Sequence, residues 1–267
     1  MKRKKVAALF LSVALSATAV FSFASCDVLQ NLAMDYEAWS RSLTEYILPS
    51  AVKIEKKETK QQVSTEISQG SGVIIYKAGN IAYALTNNHV VESTMVGSTS
   101  SYTVFDGYDG EHTLASVLYK DAAYDLAVVS FSLYTTDSTE IRHDLPATPI
   151  APKNAAVKAP VALVSSPNGT HNSTTFGKVS RYEKIQLSDS TDEDVTFPVM
   201  THSAFSMPGS SGGVVINYAM NIVGIHFASG YYDDAMTDYA EGYAIPAEKI
   251  REFLLAAEVA TDTELGV

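Results

Sequence analysis

The sequence contains a single cysteine, Cys26, among 267 residues. A disulfide needs two cysteines, so the chain has no internal disulfide and no metal cluster built on several Cys and His residues. Basic residues are also scarce: 19 Lys and Arg stand against 30 Asp and Glu, which gives a formal charge of −11. Because phosphate backbones are bound by clustered Lys and Arg, this composition argues against nucleic acid as a partner. We expect neither a metal nor a cofactor.

Four of the basic residues form the run Lys2-Arg3-Lys4-Lys5, and an apolar stretch over residues 6–24 follows it. Small residues then precede Cys26. This order is typical of a lipoprotein signal peptide over residues 1–25, after which Cys26 is lipidated and becomes the first mature residue. We therefore expect an exported protein, anchored by lipid to the bacterial cell membrane and facing outward. An ordinary signal peptide, or an uncleaved anchor, is the alternative.

From residue 49 onward, apolar runs of four to six residues alternate with Gly, Asn, Asp, Ser and Pro. Such runs, rich in Val, Ile and Tyr, predict the strands of a β-barrel or sandwich. Residues 146–160 contain four prolines and no strand-like run, which indicates a linker between two β units over residues 49–145 and 161–267.

Helical spacing is confined to two places. Residues 26–48 resemble a tether with some helical character, since apolar residues recur there at helical intervals. Residues 246–255 predict a helix near the C-terminus, with Pro246 and an acidic residue in its first turn.

The hexapeptide Pro208-Gly209-Ser210-Ser211-Gly212-Gly213 has the composition of a nucleophile turn. A serine hydroxyl needs a base within hydrogen-bond reach and backbone N–H donors directed at the developing oxyanion. Gly209 allows its own N–H and that of Ser211 to point the same way. Taken alone, the hexapeptide is equally typical of a plain Gly/Ser turn.

His89 and Asp125 supply the residue types that such a serine needs. His89 lies in Leu85-Thr86-Asn87-Asn88-His89, at the end of a predicted apolar strand, and Asp125 directly precedes the apolar run Leu126-Ala127-Val128-Val129. A carboxylate at the start of a buried strand is placed to fix the tautomer of an imidazole. His112, His143, His171 and His202 have no companion pattern, and we interpret them as surface or core residues.

These motifs together resemble the HtrA/Deg group of trypsin-like peptidases, in the order His89, Asp125, Ser211. The resemblance extends to Gly70-Ser71-Gly72, Ser166-Pro167, the stretch over residues 175–180 and Tyr243-Ala244-Ile245-Pro246. It covers residues 49 to 255 and implies an all-β fold of two six-stranded antiparallel barrels with a C-terminal helix. It also implies a serine endopeptidase that forms an acyl-enzyme on peptide or unfolded protein substrates, with the oxyanion held by Gly209 and Ser211.

Two departures from the HtrA pattern affect regulation. About a dozen residues follow the predicted C-terminal helix, so we expect no PDZ domain. The residue before the nucleophile is Ser210, where zymogen-activated relatives have Asp, so we expect no activation by an ion pair with a new N-terminus.

The stretch Gly224-Ile225-His226-Phe227 resembles the S1 strand of bacterial glutamyl endopeptidases, and its histidine also resembles that of viral 3C-type peptidases. In those groups the His works beside a hydroxyl five positions before the nucleophile, which is Ser206 here. This predicts an S1 pocket for a Glu, Asp or Gln P1 side chain. A histidine satisfied within the core is the competing interpretation of His226.

Two other functions fit the same sequence. A catalytically silent lipoprotein with a binding or chaperone role would keep the fold, and an esterase would use the same three residues. The sequence leaves open the natural substrate and the oligomeric state.

Overall fold

A computed structural model describes residues 35–60, 63–137, 141–185, 195–231 and 238–267, with side chains from residue 67 onward in the second range. The predicted signal peptide and Cys26 lie outside the described residues.

The described residues form twelve strands, three α-helices and two short 3-10 turns, at Leu48–Ser50 and Pro167–Gly169. The helices are α1 (Tyr36–Tyr46), α2 (Asn88–Val91) and α3 (Ala247–Thr261). The first six strands are β1 (Ala51–Lys60), β2 (Val63–Ala78), β3 (Ile81–Thr86), β4 (Thr99–Phe105), β5 (Glu111–Asp121) and β6 (Leu126–Ser132). The last six are β7 (Pro160–Ser165), β8 (Ser173–Glu183), β9 (Val199–His202), β10 (Val214–Ile216), β11 (Ile222–Tyr231) and β12 (Tyr239–Pro246).

The strands close into two antiparallel barrels, in the orders β1-β2-β3-β6-β5-β4 and β10-β11-β12-β9-β8-β7. We refer to them as the N-terminal and C-terminal barrels. Closure pairs every strand on both sides, so neither barrel leaves an open sheet edge. The predicted fold class, two six-stranded antiparallel barrels with a C-terminal helix, is confirmed.

Each barrel encloses its own apolar core. Ile54, Ile74 and Val129 fill the N-terminal barrel, whereas Leu163 and Val215 belong to the core of the C-terminal barrel. Burying a side chain of this size contributes about 1.5–3 kcal/mol. These cores hold the strands rigid without a disulfide, and the strand ends are therefore fixed platforms for side chains.

Helix α1 accounts for the helical spacing noted before residue 48. It begins after Asp35, whose carboxylate accepts the Ala38 N–H at 2.9 Å and so caps the first turn. Trp39 and Leu43, one turn apart, are both buried.

Helix α3 packs partly against the turn that joins β5 and β6. The Phe253 ring lies 5.4 Å from that of Tyr119 and 6.0 Å from that of Tyr124. Tyr124 also donates a long hydrogen bond to Glu252 at 3.4 Å. The C-terminal helix therefore supports the residue next to Asp125.

Candidate active site

The pairing of β3 with β6 brings His89 and Asp125 together. Thr86, the last residue of β3, lies opposite Ala127, near the start of β6. The end of β3 and the start of β6 therefore lie side by side at the same end of the barrel. His89 stands on the short helix α2 just beyond the end of β3. The sequence predicts His89 at the end of the strand itself, but β3 ends at Thr86 and the structure places His89 within the helix that follows.

The Asp125 carboxylate holds His89 at two points. Its Oδ2 lies 2.8 Å from the His89 ring Nδ1, and its Oδ1 accepts the His89 backbone N–H at 3.0 Å. Asp125 is mostly buried, whereas the His89 side chain is 47% exposed. Because the carboxylate accepts the proton on Nδ1, the opposite nitrogen, Nε2, is left as the basic one.

Asp125 occupies a tight turn with a left-handed backbone, φ +48°. Its N–H donates to the Ala122 carbonyl at 3.0 Å, and the Asp121 carboxylate accepts the Ala123 N–H at 2.9 Å. Asp tolerates positive φ better than most residues. This turn, packed under α3 through Tyr124, directs the carboxylate towards His89.

Residues 207–210 form a β-turn, which we call the oxyanion turn. The Ser210 N–H donates to the Met207 carbonyl at 2.9 Å, with Pro208 and Gly209 at the two central positions. Gly209 has φ +91°. Pro followed by a residue of positive φ is the signature of a type II turn, so Gly209 is required by the backbone.

Hydrogen bonding fixes the orientation of the oxyanion turn. The Pro208 carbonyl accepts the Asn168 N–H at 2.7 Å. Since N–H and C=O point in opposite directions across a trans peptide, the Gly209 N–H is directed away from Asn168. Among the described residues, neither the Gly209 N–H nor the Ser211 N–H has a hydrogen-bond acceptor. Both donors are therefore available to an anionic oxygen.

Ser211 joins this group through the backbone beside it. The Gly212 N–H donates to the Asn87 side-chain oxygen at 2.6 Å, and the Asn87 amide donates to the Asp125 carbonyl at 2.9 Å. Hydrogen bonds through Asn87 thus connect the pair His89 and Asp125 to the backbone beside Ser211. The Ser211 hydroxyl itself contacts the Phe227 carbonyl at 3.5 Å, and no hydrogen bond to His89 is recorded among the described residues. In free enzymes the hydrogen bond between nucleophile and base is often long or poorly aligned and tightens when substrate binds.

Ser206 and His226 are linked through a residue that the sequence did not single out, Ser229. The Ser206 hydroxyl lies 2.7 Å from that of Ser229, which lies 3.4 Å from His226 Nε2. Ser206 also lines a small cavity with Phe205 and Met207. Both Ser206 and His226 are almost fully buried.

His226 has a second partner that the sequence did not reveal, His202. Strands β9 and β11 both pair with β12, and this places His202 Nε2 3.2 Å from His226 Nδ1. Burial lowers the pKa of His202 to about 4. Burial and the neighbouring His202 lower the pKa of His226 well below its usual range. Both rings are therefore neutral at pH 7, and no spacing in the sequence signalled this contact.

No cluster of three or more His, Cys, Asp or Glu suited to a metal occurs within the described ranges. In the part of the chain that the structure describes, no helix has the length and hydropathy of a membrane-spanning segment.

Comparison with known families identifies a trypsin-like peptidase domain over residues 70–225. This range contains His89, Asp125 and Ser211.

Curated relatives are bacterial serine proteases. The chain is 31% identical to the serine protease Do-like HtrA of Bacillus subtilis over 70% of its own length and 38% of the relative. It is 30% identical to the corresponding protein of Lactococcus lactis, with 68% and 43% covered, and 27% identical to the serine protease PepD of Mycobacterium tuberculosis, with 83% and 47% covered. The chain thus spans less than half the length of these relatives.

Among solved structures, the active form of the Rv3671c protease from M. tuberculosis matches with a TM-score of 0.59 and 25% identity. The match covers 78% of this chain and 80% of that one. The inactive form of the same protease has a TM-score of 0.58 at 23% identity and shares the fold.

Proposed function

The chain belongs to the trypsin-like peptidase family, and from this premise we propose that it is a serine endopeptidase whose nucleophile is Ser211. The observation that carries the proposal is the double contact of the Asp125 carboxylate with the His89 ring and backbone, 2.8 and 3.0 Å long. It leaves His89 Nε2 as a base, and Asn87 ties that pair to the residue after Ser211.

In the proposed mechanism, His89 Nε2 removes the Ser211 proton as Ser211 Oγ attacks the carbonyl carbon of a peptide. The imidazolium, stabilised by Asp125, then protonates the leaving amine, and an acyl-enzyme remains. Water, deprotonated by His89, attacks the acyl-enzyme, and His89 then gives this proton to Ser211 Oγ as the acid is released. The carbonyl oxygen carries negative charge in both steps, and the N–H groups of Gly209 and Ser211 stabilise it; one such donor is worth about 3 kcal/mol.

Hydrolysis of a fluorogenic peptide library tests this function. Ser211→Ala should abolish turnover, because the acyl-enzyme of the proposed mechanism forms on the Ser211 hydroxyl. The matched control is Ser180→Ala, which removes an exposed hydroxyl on β8 and should leave turnover unchanged. Equal turnover by wild type and Ser211→Ala would refute the assignment. Turnover of esters but not of peptides would instead support an esterase.

We further propose that the S1 pocket takes a polar P1 side chain, Gln, Glu or Asp. The supporting feature is the row of hydrogen-bonding groups formed by Ser206, Ser229 and His226. Because burial keeps His226 neutral, this row offers uncharged donors, and a carboxylate would bring an unpaired charge into a buried site. We therefore expect Gln to be accepted at neutral pH and Glu or Asp to improve relative to Gln as the pH falls.

Profiling of P1 preference in wild type and His226→Ala tests this specificity. The proposal predicts a polar P1 preference that His226→Ala weakens. An aliphatic preference that is the same in both proteins would mean that His226 is a core histidine without a role in recognition.

Export and lipid attachment at Cys26 are proposed from the sequence pattern alone. Metabolic labelling with a palmitate analogue in a bacterial host should modify the wild-type protein and fail to modify Cys26→Ser. Equal labelling of both would refute the anchor.

A further inference from the structure

Ser71 in β2 directs its polar groups at the residues around the nucleophile. Its hydroxyl donates to the Gly209 carbonyl at 2.8 Å and accepts the Ser166 N–H at 2.8 Å. Its backbone N–H donates to the Ser211 carbonyl at 2.7 Å. The side chain is 1% exposed, so these bonds form away from water. A residue of the N-terminal barrel thus contacts both Gly209, in the oxyanion turn, and Ser211, just after it.

The contact to Gly209 completes the fixation of the oxyanion turn. Two peptide groups flank the Gly209 Cα, and each carbonyl has one partner: Asn168 N–H for the Pro208 carbonyl and the Ser71 hydroxyl for the Gly209 carbonyl. Glycine at φ +91° has no Cβ to restrict its backbone, so these partners hold the turn in place. Ser71 also binds Ser166, which begins the loop that carries Asn168.

We propose that Ser71 is a positioning residue that keeps the Gly209 N–H directed at the substrate's carbonyl oxygen. The inference rests on the proposed function, in which that N–H stabilises the oxyanion. A single hydroxyl serves because it is donor and acceptor at once, and both roles are used. Ser71 itself does not touch substrate; it acts through Gly209 and the Ser166–Asn168 loop.

Ser71→Ala isolates this role. The variant removes the hydroxyl but keeps the backbone N–H that binds Ser211, so the nucleophile retains its own support. The Gly209 carbonyl and the buried Ser166 N–H lose their partner, and the oxyanion turn gains freedom to rotate its peptides. We expect kcat to fall about tenfold or more, the effect of one lost buried hydrogen bond, while KM changes by less than about twofold.

Ser50→Ala is the matched control. Ser50 is fully buried and its hydroxyl also makes two hydrogen bonds, to the Ile47 carbonyl at 2.8 Å and the Thr148 hydroxyl at 2.6 Å. It lies outside the oxyanion turn and its partners. This variant should lose stability comparable to that lost by Ser71→Ala and keep the wild-type kcat.

Two readouts separate positioning from general destabilisation. A peptide aldehyde forms a hemiacetal with Ser211 whose oxygen occupies the oxyanion site, so its affinity should fall in Ser71→Ala by the same factor as kcat. The pH dependence of kcat/KM should not move, because Ser71 touches neither His89 nor Asp125. If Ser71→Ala does not fold, Ser71→Cys provides the same test with a weaker hydrogen-bonding group of similar size.

Wild-type kcat in the Ser71 variant would overturn the inference, and so would a reduced kcat with unchanged aldehyde affinity or an equal loss in Ser50→Ala. An active wild type with an unaffected Ser71 variant refutes the positioning role alone. A wild type that neither hydrolyses peptides nor binds the aldehyde refutes the proposed function and this inference together.

Discussion

Acidification is expected to destabilise the C-terminal barrel through its two buried imidazoles, His202 and His226. Both rings are essentially inaccessible to solvent and contact each other at 3.2 Å. Placing a proton on either would bury a positive charge with no carboxylate among its recorded hydrogen-bond partners. The folded protein therefore keeps both rings neutral at pH values where the unfolded chain already binds protons.

The size of the effect follows from the pKa of His202. A histidine in the unfolded chain titrates near pH 6.5, whereas burial lowers the pKa of His202 to about 4. The free energy of unfolding therefore keeps its full value above about pH 6.5 and falls as the pH drops towards about 4, because the unfolded chain binds a proton that folded His202 does not. At about 1.4 kcal/mol for each pKa unit, His202 alone removes about 3 kcal/mol from the free energy of unfolding. His226, whose pKa is also lowered by burial and by His202, acts in the same direction.

Urea unfolding at about pH 7 and about pH 4.5 measures this loss. Between these two pH values, the free energy of unfolding of His202→Leu should fall by about 2 to 3 kcal/mol less than that of wild type, whatever the stability of the variant at pH 7. His143→Leu is the control: His143 is exposed, so its removal should leave the pH dependence unchanged. An equal acid-induced loss in wild type and His202→Leu would show that the buried pair does not govern acid stability and would refute the reasoning.

Three further substitutions have defined outcomes. Asn87→Ala should lower kcat/KM about tenfold in a peptide assay, because its amide joins the Asp125 carbonyl to the Gly212 N–H; an unchanged value would contradict the link. Gly212→Ala should yield insoluble or inactive protein on expression, since φ is +82° and a Cβ would lie 1.9 Å from the Ser71 carbonyl oxygen; normal activity would contradict that geometry. His112→Leu should lower the free energy of unfolding in chemical denaturation by about 2 kcal/mol, because the buried carboxylate of Asp106 loses the His112 ring as a hydrogen-bond partner; a neutral effect would argue against this contact between His112 and Asp106.

The sequence predicted the fold because several barrel strands contain short apolar runs that are clearly punctuated by Gly, Asn, Asp, Ser and Pro. The runs around Ile74, Val128 and Val164 are all strands, and the predicted linker over residues 146–160 contains no strand before Pro160, where β7 begins. The number of strands and their closure into two barrels came from the family resemblance, since alternation alone also fits a sandwich. The apolar runs and the residues that separate them are local in the chain, which is why a single sequence displays them.

The candidate site was predictable where its residues lie close to the start or end of a strand. His89, Asp125 and Ser211 stand close to recognisable apolar runs, and hydrogen bonds through Asn87 connect the first two to the backbone beside Ser211. The Pro208-Gly209 turn was equally readable, because proline and a residue of positive φ specify a turn type.

Contacts between distant strands were not predictable. The Ser71 hydroxyl meets Gly209 across 138 residues of sequence, and His202 meets His226 only because β12 lies between their strands. The pairing of the same strands brings Ser229 to its partners, Ser206 and His226. Such contacts depend on how the barrels pack and leave no periodicity or spacing in the chain.

Labelling with a serine-reactive fluorophosphonate, followed by mass spectrometry of the modified peptide, tests the central claim most directly. The reagent forms a stable adduct only with a serine activated by a base, so it reports the chemistry of Ser211 without knowledge of the substrate. The account predicts a single adduct on Ser211, strongly slowed by His89→Ala and absent in Ser211→Ala. Wild-type protein that remains unlabelled under all conditions, or labelling that persists in Ser211→Ala, would contradict it.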